Sequence, residues 1–240
     1  MDRERLLQGL TGADLGALPF SFRLAGRPSA EVLPGWRHRA ERRPLDRGRT
    51  EHTLTFTDPE TGLEVRCVAL EYGDFPHLEW TAHFANHGAT DSPVLSEILP
   101  LDATLRRGPE DGEFVLHHHV GSPCQRNDYQ PLATRLGPGA EKVVTAAGGR
   151  PTNSDLPYFN LAWGGGGAIV VVGWPGQWAA RFTRDAGAGL TVRAGQELTR
   201  FRLHAGETAR TPLMVVQYWE GDRTDAQNTW RRWMVAHNLP

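Results

Sequence analysis

The sequence predicts an all-β fold, a large antiparallel sandwich followed by one carboxyl-terminal helix. Three observations carry this expectation. Apolar residues alternate with period two through most of the chain, turn residues recur between the alternating runs, and helical period is nearly absent before residue 223.

Leu63, Val65, Cys67 and Ala69 share one face of a run, and Leu78, Trp80, Ala82 and Phe84 share one face of the next, against Glu79, Thr81 and His83. Such alternation buries one side of a strand and wets the other. Further strands are expected over residues 51–56, 113–118, 143–146, 168–174, 178–184, 190–193, 199–204 and 213–219. Asp58-Pro59-Glu60-Thr61-Gly62, His87-Gly88, Gly137-Pro138-Gly139 and Ala205-Gly206-Glu207 separate them with turn chemistry. At 240 residues the chain is long enough to bury a core as one large β domain.

The helix is expected at the end. Thr224 and Gln227 have the spacing of a capping box, and Trp230, Trp233, Met234 and His237 then fall at i, i+3, i+4 and i+7. This defines a sandwich domain over 1–222 and a linker helix over 223–240. Two indoles on one helical stripe need a surface to cover them. The sandwich or a following domain can supply it. The ending at Leu239-Pro240 favours the second, so Trp230, Trp233 and Met234 are expected to lie exposed and to dock on a neighbouring module.

Composition narrows the partners. The formal net charge of -2, with Lys142 the only lysine, produces no field suited to nucleic acid or an anionic membrane. Arg37, Arg39, Arg42, Arg43, Arg47 and Arg49, interrupted by Glu41 and Asp46, read as a solvated loop. The amino terminus lacks the apolar core of a secretory signal, which points to the cytoplasm, and no run approaches a membrane span of about 20 apolar residues. Cys67 and Cys124 fit no metal spacing and are either free thiols or one optional bridge.

Several segments invite a chemical reading. Gly164 to Gly167 run into Ile169-Val170-Val171-Val172, a strand rather than the helix that a phosphate cradle needs, so a flexible turn is expected. His117 and His119 share a strand face, yet no Asp, Glu or Cys completes a metal set around them. Neither a metal nor a cofactor is expected. The loop around Arg126, Asn127, Asp128 and Tyr129 mixes planar donors, a carboxylate and a ring, which is the kit that reads sugars, or else an Asx-type turn with Asp128 merely solvated. Asn153, Ser154 and Asp155 share that ambiguity. Trp174 and Trp178 flank a Pro-Gly turn and can stack on a pyranose or close the end of the core.

Taken together, GSPCQRNDYQPL, GGRPTNSDLPYFNL, GWPGQW, LHAGETARTPLMVVQYWEGD and NTWRRWMVAHNLP, with PFSFRLAGRPSAEVLPGW near the start, resemble the amino-terminal domain of α-galactosidase-type enzymes of glycoside hydrolase family 36. The resemblance spans nearly the whole chain. It implies a β-supersandwich of galactose-mutarotase type, followed by a linker helix and a (β/α)8 barrel that carries the two catalytic carboxylates of a retaining mechanism. No catalytic residue is therefore assigned here. By matching motif, Asp128, Tyr129, Trp174 and Trp178 become candidates for the rim of the sugar pocket. Tyr129 and Pro175 stand where the pattern has Phe and Ser, and Pro151-Thr152 replaces Ser-Ser. The implied partners are the barrel, an α-galactoside-type sugar and other copies of the domain. Two other readings remain: a carbohydrate-binding module, and an aldose epimerase using His117 or His119 as its acid.

Overall fold

Helix α1 (Arg3–Thr11), which the sequence reading did not anticipate, opens the chain in the computed structural model, which describes residues 1–239. Asp2 caps it by accepting from the Arg5 N–H at 2.8 Å, and Gly12 at φ 77° closes it. Leu6 and Leu10, one turn apart, insert into the core. Strands β1 (Ser21–Leu24) and β2 (Arg27–Pro28) and the one-turn helix α2 (Ser29–Val32) follow. A meander comes next, made of β3 (Arg37–Pro44), β4 (Arg49–Thr57), β5 (Leu63–Tyr72) and β6 (His77–Asn86).

The middle of the chain forms β7 (Leu95–Leu99), β8 (Leu101–Arg106), β9 (Phe114–His119), β10 (Pro131–Leu136), β11 (Glu141–Ala147) and β12 (Arg150–Ser154). Strands β13 (Tyr158–Trp163), β14 (Gly166–Gly173), β15 (Trp178–Arg184) and β16 (Gly189–Gln196) come next. The last elements are β17 (Arg200–Phe201), β18 (Thr208–Arg210), β19 (Leu213–Glu220) and helix α3 (Arg223–His237).

The strands assemble into a ten-stranded sheet, β10-β9-β13-β14-β19-β6-β5-β4-β3 with β18 beside β6. Opposite it lie a five-stranded sheet, β12-β11-β15-β16-β8, and a four-stranded one, β17-β7-β1-β2. Phe159 of β13 meets Phe182 of β15 at 5.2 Å, and Phe22 of β1 meets Phe84 of β6 at 5.3 Å, so both smaller sheets share a core with the large one. The Trp80 indole donates to the Pro100 carbonyl at 2.8 Å within that core. The fold is the all-β antiparallel sandwich expected from alternation, with Leu63, Val65, Cys67, Ala69, Leu78, Trp80, Ala82 and Phe84 all buried.

Three local expectations need correction. The arginine-rich run forms the edge strand β3 rather than a loop. Both of its faces are exposed, so no apolar alternation marks it, and pairing with β4 from Arg37↔Thr57 to Pro44↔Thr50 makes it a strand. Charge on an open edge also discourages pairing between molecules. The strand expected over 199–204 shrinks to β17, because Leu203 and Ser92 exchange bonds outside any ladder. The cap of α3 is Asp222, which accepts from Thr224 N at 2.6 Å, so Thr224 lies inside the helix. The glycine run does form a turn: Gly164 and Gly165 take φ 54° and 78° between β13 and β14, a hairpin geometry. A Cβ on Gly164 would fall 2.3 Å from the Asp111 carboxylate, so this position admits only glycine.

Candidate functional site

The polar loop between β9 and β10 is rigidly built. Asp128 accepts from the Ser122 hydroxyl at 2.8 Å and from the Gln125 N–H at 2.9 Å. The Gln125 backbone bond, aided by Ser122, holds its carboxyl below the ordinary carboxylate range. Asp128 thus closes an Asx-type turn. Tyr129 sits at φ 62°, donates its N–H to Gly121 O at 3.0 Å, and is 57% exposed as a residue. Cys124 and Ser154 also take left-handed φ values, 66° and 85°. Strain of this kind in non-glycine residues persists only where surrounding bonds over-determine the backbone.

Those bonds come from β12. The Gly121 N–H donates to Ser154 O at 2.8 Å and the Ser122 N–H to Thr152 O at 2.7 Å. One residue earlier in β12, Pro151 O accepts from the Trp178 indole at 2.7 Å. The Gln177 side chain reaches the Ala146 carbonyl at 2.6 Å and the Glu197 carboxylate at 2.7 Å, and it accepts from Gly149 N at 3.1 Å. Three segments separated in sequence, at 121–132, 148–155 and 173–178, therefore meet along one edge strand. The organising role of Pro151 and Thr152 had no local signature, since it depends on their backbone carbonyls, and that of Gln177 depends on partners 20 to 31 residues away.

The rim candidates divide. Tyr129 is exposed, and Trp174 is half-buried with the Arg210 guanidinium 5.4 Å from its ring centroid. Trp178 is wholly buried, 5.8 Å from Phe159 in a T-shaped pair, so its stacking role is corrected to core packing. Its indole N–H needed an internal acceptor, and only burial supplies one. Asp155 pairs with Ser154 at 2.9 Å, and Asn153 donates to Ala147 O at 3.1 Å.

His117 and His119 face outward from β9, while His118 points inward and bonds Thr134 at 3.0 Å. Partial burial, then the Arg223 charge, holds both outward imidazoles below their ordinary pKa. Among the described residues no carboxylate bonds either ring, and no cluster of three or more His, Cys, Asp or Glu could hold a metal. The acid–carboxylate pair of an epimerase is not assembled there. Cys67 is buried, its thiol pushed up to about 12 by desolvation, and Cys124 is exposed; both are free.

The indole stripe of α3 meets the chain's own sheet, which corrects the expectation of an exposed face. Trp233 is 2% exposed, stacks on His77 at 4.3 Å and 14°, and meets Tyr72 edge-on at 5.5 Å. Trp230 lies 5.6 Å from Tyr158, and His237 bonds Asp74 at 3.0 Å. Met234 packs partly against this cluster. Val235 on the outward side of α3 is exposed, as is Leu239 just past its end.

His77 gives this seat a pH dependence. Gln217 lies beside it, yet neither ring nitrogen makes a well-formed hydrogen bond among the described residues. Burial, reinforced by His237, lowers its pKa from 6.5 to about 3. The unfolded chain takes up this proton near 6.5 and the folded chain only near 3, so stability is complete above that window and falls as pH drops through it. Denaturant titrations are expected to lose about 2 kcal/mol between about pH 7 and about pH 5 from this group. His77→Phe should abolish that part of the slope, and an unchanged slope would refute the assignment.

No known protein-family profile matches the chain, and no curated protein matches it in sequence. Its fold, however, is shared with a class of carbohydrate-active enzymes, the α-galactosidases. An α-galactosidase from Lactobacillus brevis superimposes with a TM-score of 0.70 at 14% identity, over 90% of this chain and 31% of that one. The family 36 α-galactosidase AgaA of Geobacillus stearothermophilus, solved with raffinose, gives 0.66 at 17% identity, over 88% and 31%. The galactosidase domain of the α-galactosidase-sucrose kinase AgaSK gives 0.63 at 16%, over 85% and 30%. The chain thus spans about a third of the enzymes it resembles. No helix among the described residues is long and apolar enough to cross a membrane.

Proposed function

We propose that this chain is the non-catalytic β-supersandwich domain of an α-galactosidase-like glycoside hydrolase, with the catalytic carboxylates on a barrel outside it. The observation that carries this reading is the asymmetry of the fold match, 90% of this chain against 31% of the L. brevis enzyme. The domain's role is to pack on the barrel and shape access to the sugar site. The outward residues of α3, with the half-buried edges of Trp230 and Met234, form the seat for that barrel, and residues 223–240 act as the linker. Trp233 braces the linker from below.

At the pocket, Tyr129 presents its ring to an α-galactoside-type sugar, and Asp128 holds the loop that aims it. Trp174, steadied by Arg210, is the second aromatic surface of this end. Copies of the domain associate with one another in the assembled enzyme.

The test has two arms. The isolated chain is expected to release no nitrophenol from 4-nitrophenyl α-galactopyranoside, while the protein encoded with the reading frame beyond residue 240 does. In that longer protein Tyr129→Ala should raise KM several-fold at nearly constant kcat, as loss of uniform substrate binding requires. A frame that encodes no barrel, or an isolated chain that itself binds galactosides through Tyr129, would overturn the reading in favour of a binding module.

A further inference from the structure

The solvent face of the meander carries an ordered row of cationic side chains. Strand register places Arg39, Thr55, Arg66, His83 and Arg210 directly opposite one another on β3, β4, β5, β6 and β18. Residues paired in this way share a face, and strands lie about 4.8 Å apart, so the three guanidinium-bearing positions recur at about 10 Å over a row of about 19 Å. Arg39, Arg66 and Arg210 are exposed, and Thr55 and His83 are half-buried between them. Arg66 and Arg210 crowd His83 closely enough to hold its pKa below the ordinary value, after the larger effect of burial.

The charges in this row are incompletely paired. Arg39 meets Glu41 at 2.7 Å, but neither Arg66 nor Arg210 has a carboxylate partner among the described residues. Arg210 is instead fixed over the Trp174 ring. Along part of the row runs an open groove of about 660 Å³, lined by Arg39, Thr55 and Arg66 together with Arg37, Thr53 and Thr57.

This chemistry selects among ligands. None of the exposed large apolar side chains lies on the row, so the face lacks the apolar centre of a protein interface. Glu41 and Glu64 line the groove with the arginines, so its charge is mixed rather than the unbroken basic surface that the closely spaced phosphates of a duplex require. Planar guanidinium groups at a regular interval, interleaved with the Thr55 hydroxyl and the His83 imidazole, match carboxylates that recur along a hydroxyl-rich chain. We propose that this face is a binding site for an extended uronic-acid polysaccharide, whose every second sugar turns a carboxylate to the same side. The row shares Arg210 with the Trp174 surface at the pocket end, but Arg39 and Arg66 stand apart from it, and an acidic ligand on the row does not depend on that role.

Calorimetric titration of the chain with a galacturonic acid oligosaccharide tests the site, with a neutral galactose oligosaccharide of equal length as control. Saturable binding that weakens as salt rises is expected for the acidic probe alone. Arg66→Gln and Arg210→Gln should each reduce affinity about tenfold, with melting temperature unchanged in Arg66→Gln, whose side chain is exposed and makes no ion pair among the described residues. Glu41→Gln, which releases Arg39 and removes a repelling carboxylate, should tighten binding. Equal binding of the neutral probe, an unchanged double variant, or tighter binding of an RNA oligonucleotide of equal charge would each overturn the proposal.

Discussion

Trp178→Ala is expected to destabilise the protein by about 3 to 5 kcal/mol, the range for removing a large buried aromatic. The ring is wholly enclosed, packed against Phe159 at 5.8 Å, and its removal leaves a void that neighbouring strands fill only in part. The loss also strips Pro151 O of its donor at 2.7 Å, at the strand that ties the polar loop to the Pro-Gly turn. Trp178→Phe, which keeps much of the volume and loses the N–H, should fall between. Denaturant unfolding monitored by circular dichroism measures both. A variant of parental stability whose only defect is weaker sugar binding would restore the stacking role.

Trp233→Ala should cost a similar about 3 to 5 kcal/mol, but in a different place. Trp233 belongs to a small cluster with Tyr72 and Val215 that is separate from the main core, on the opposite face of the large sheet. Its removal takes the stacked partner from His77 and the edge contact from Tyr72. The expected outcome is local: amides over 223–237 lose hydrogen-exchange protection while those of β5 and β6 keep theirs. Trp230→Ala should have a smaller effect, because that ring is only half-buried. Uniform loss of protection across the sheet would show instead that α3 and the sandwich unfold as one unit.

Most of the architecture was legible because alternation is a direct trace of one-sided burial. β5 and β6 read cleanly for that reason. Strand β3 did not, since it is exposed on both faces and owes its conformation to β4. Helix α1 was missed although Asp2, Leu6 and Leu10 carry its cap and its buried face, because nine residues give too short a period to stand out. Around the polar loop between β9 and β10, the quoted motifs named the segments that meet. Their meeting along β12 was invisible, because the ties run through the backbone atoms of Gly121, Ser122, Pro151, Thr152 and Ser154.

The chain's own chemistry determined which side chains must leave water: the alternating aliphatic residues, the large rings and the apolar stripe of α3. Tertiary structure alone decided what covers each of them. Burial is favourable against any apolar surface, so a stripe such as Trp230, Trp233 and Met234 specifies a need without specifying a partner. The register of β5, β6 and β19 placed Tyr72, His77 and Val215 under that helix, and the same register aligned the arginines of the meander into a row.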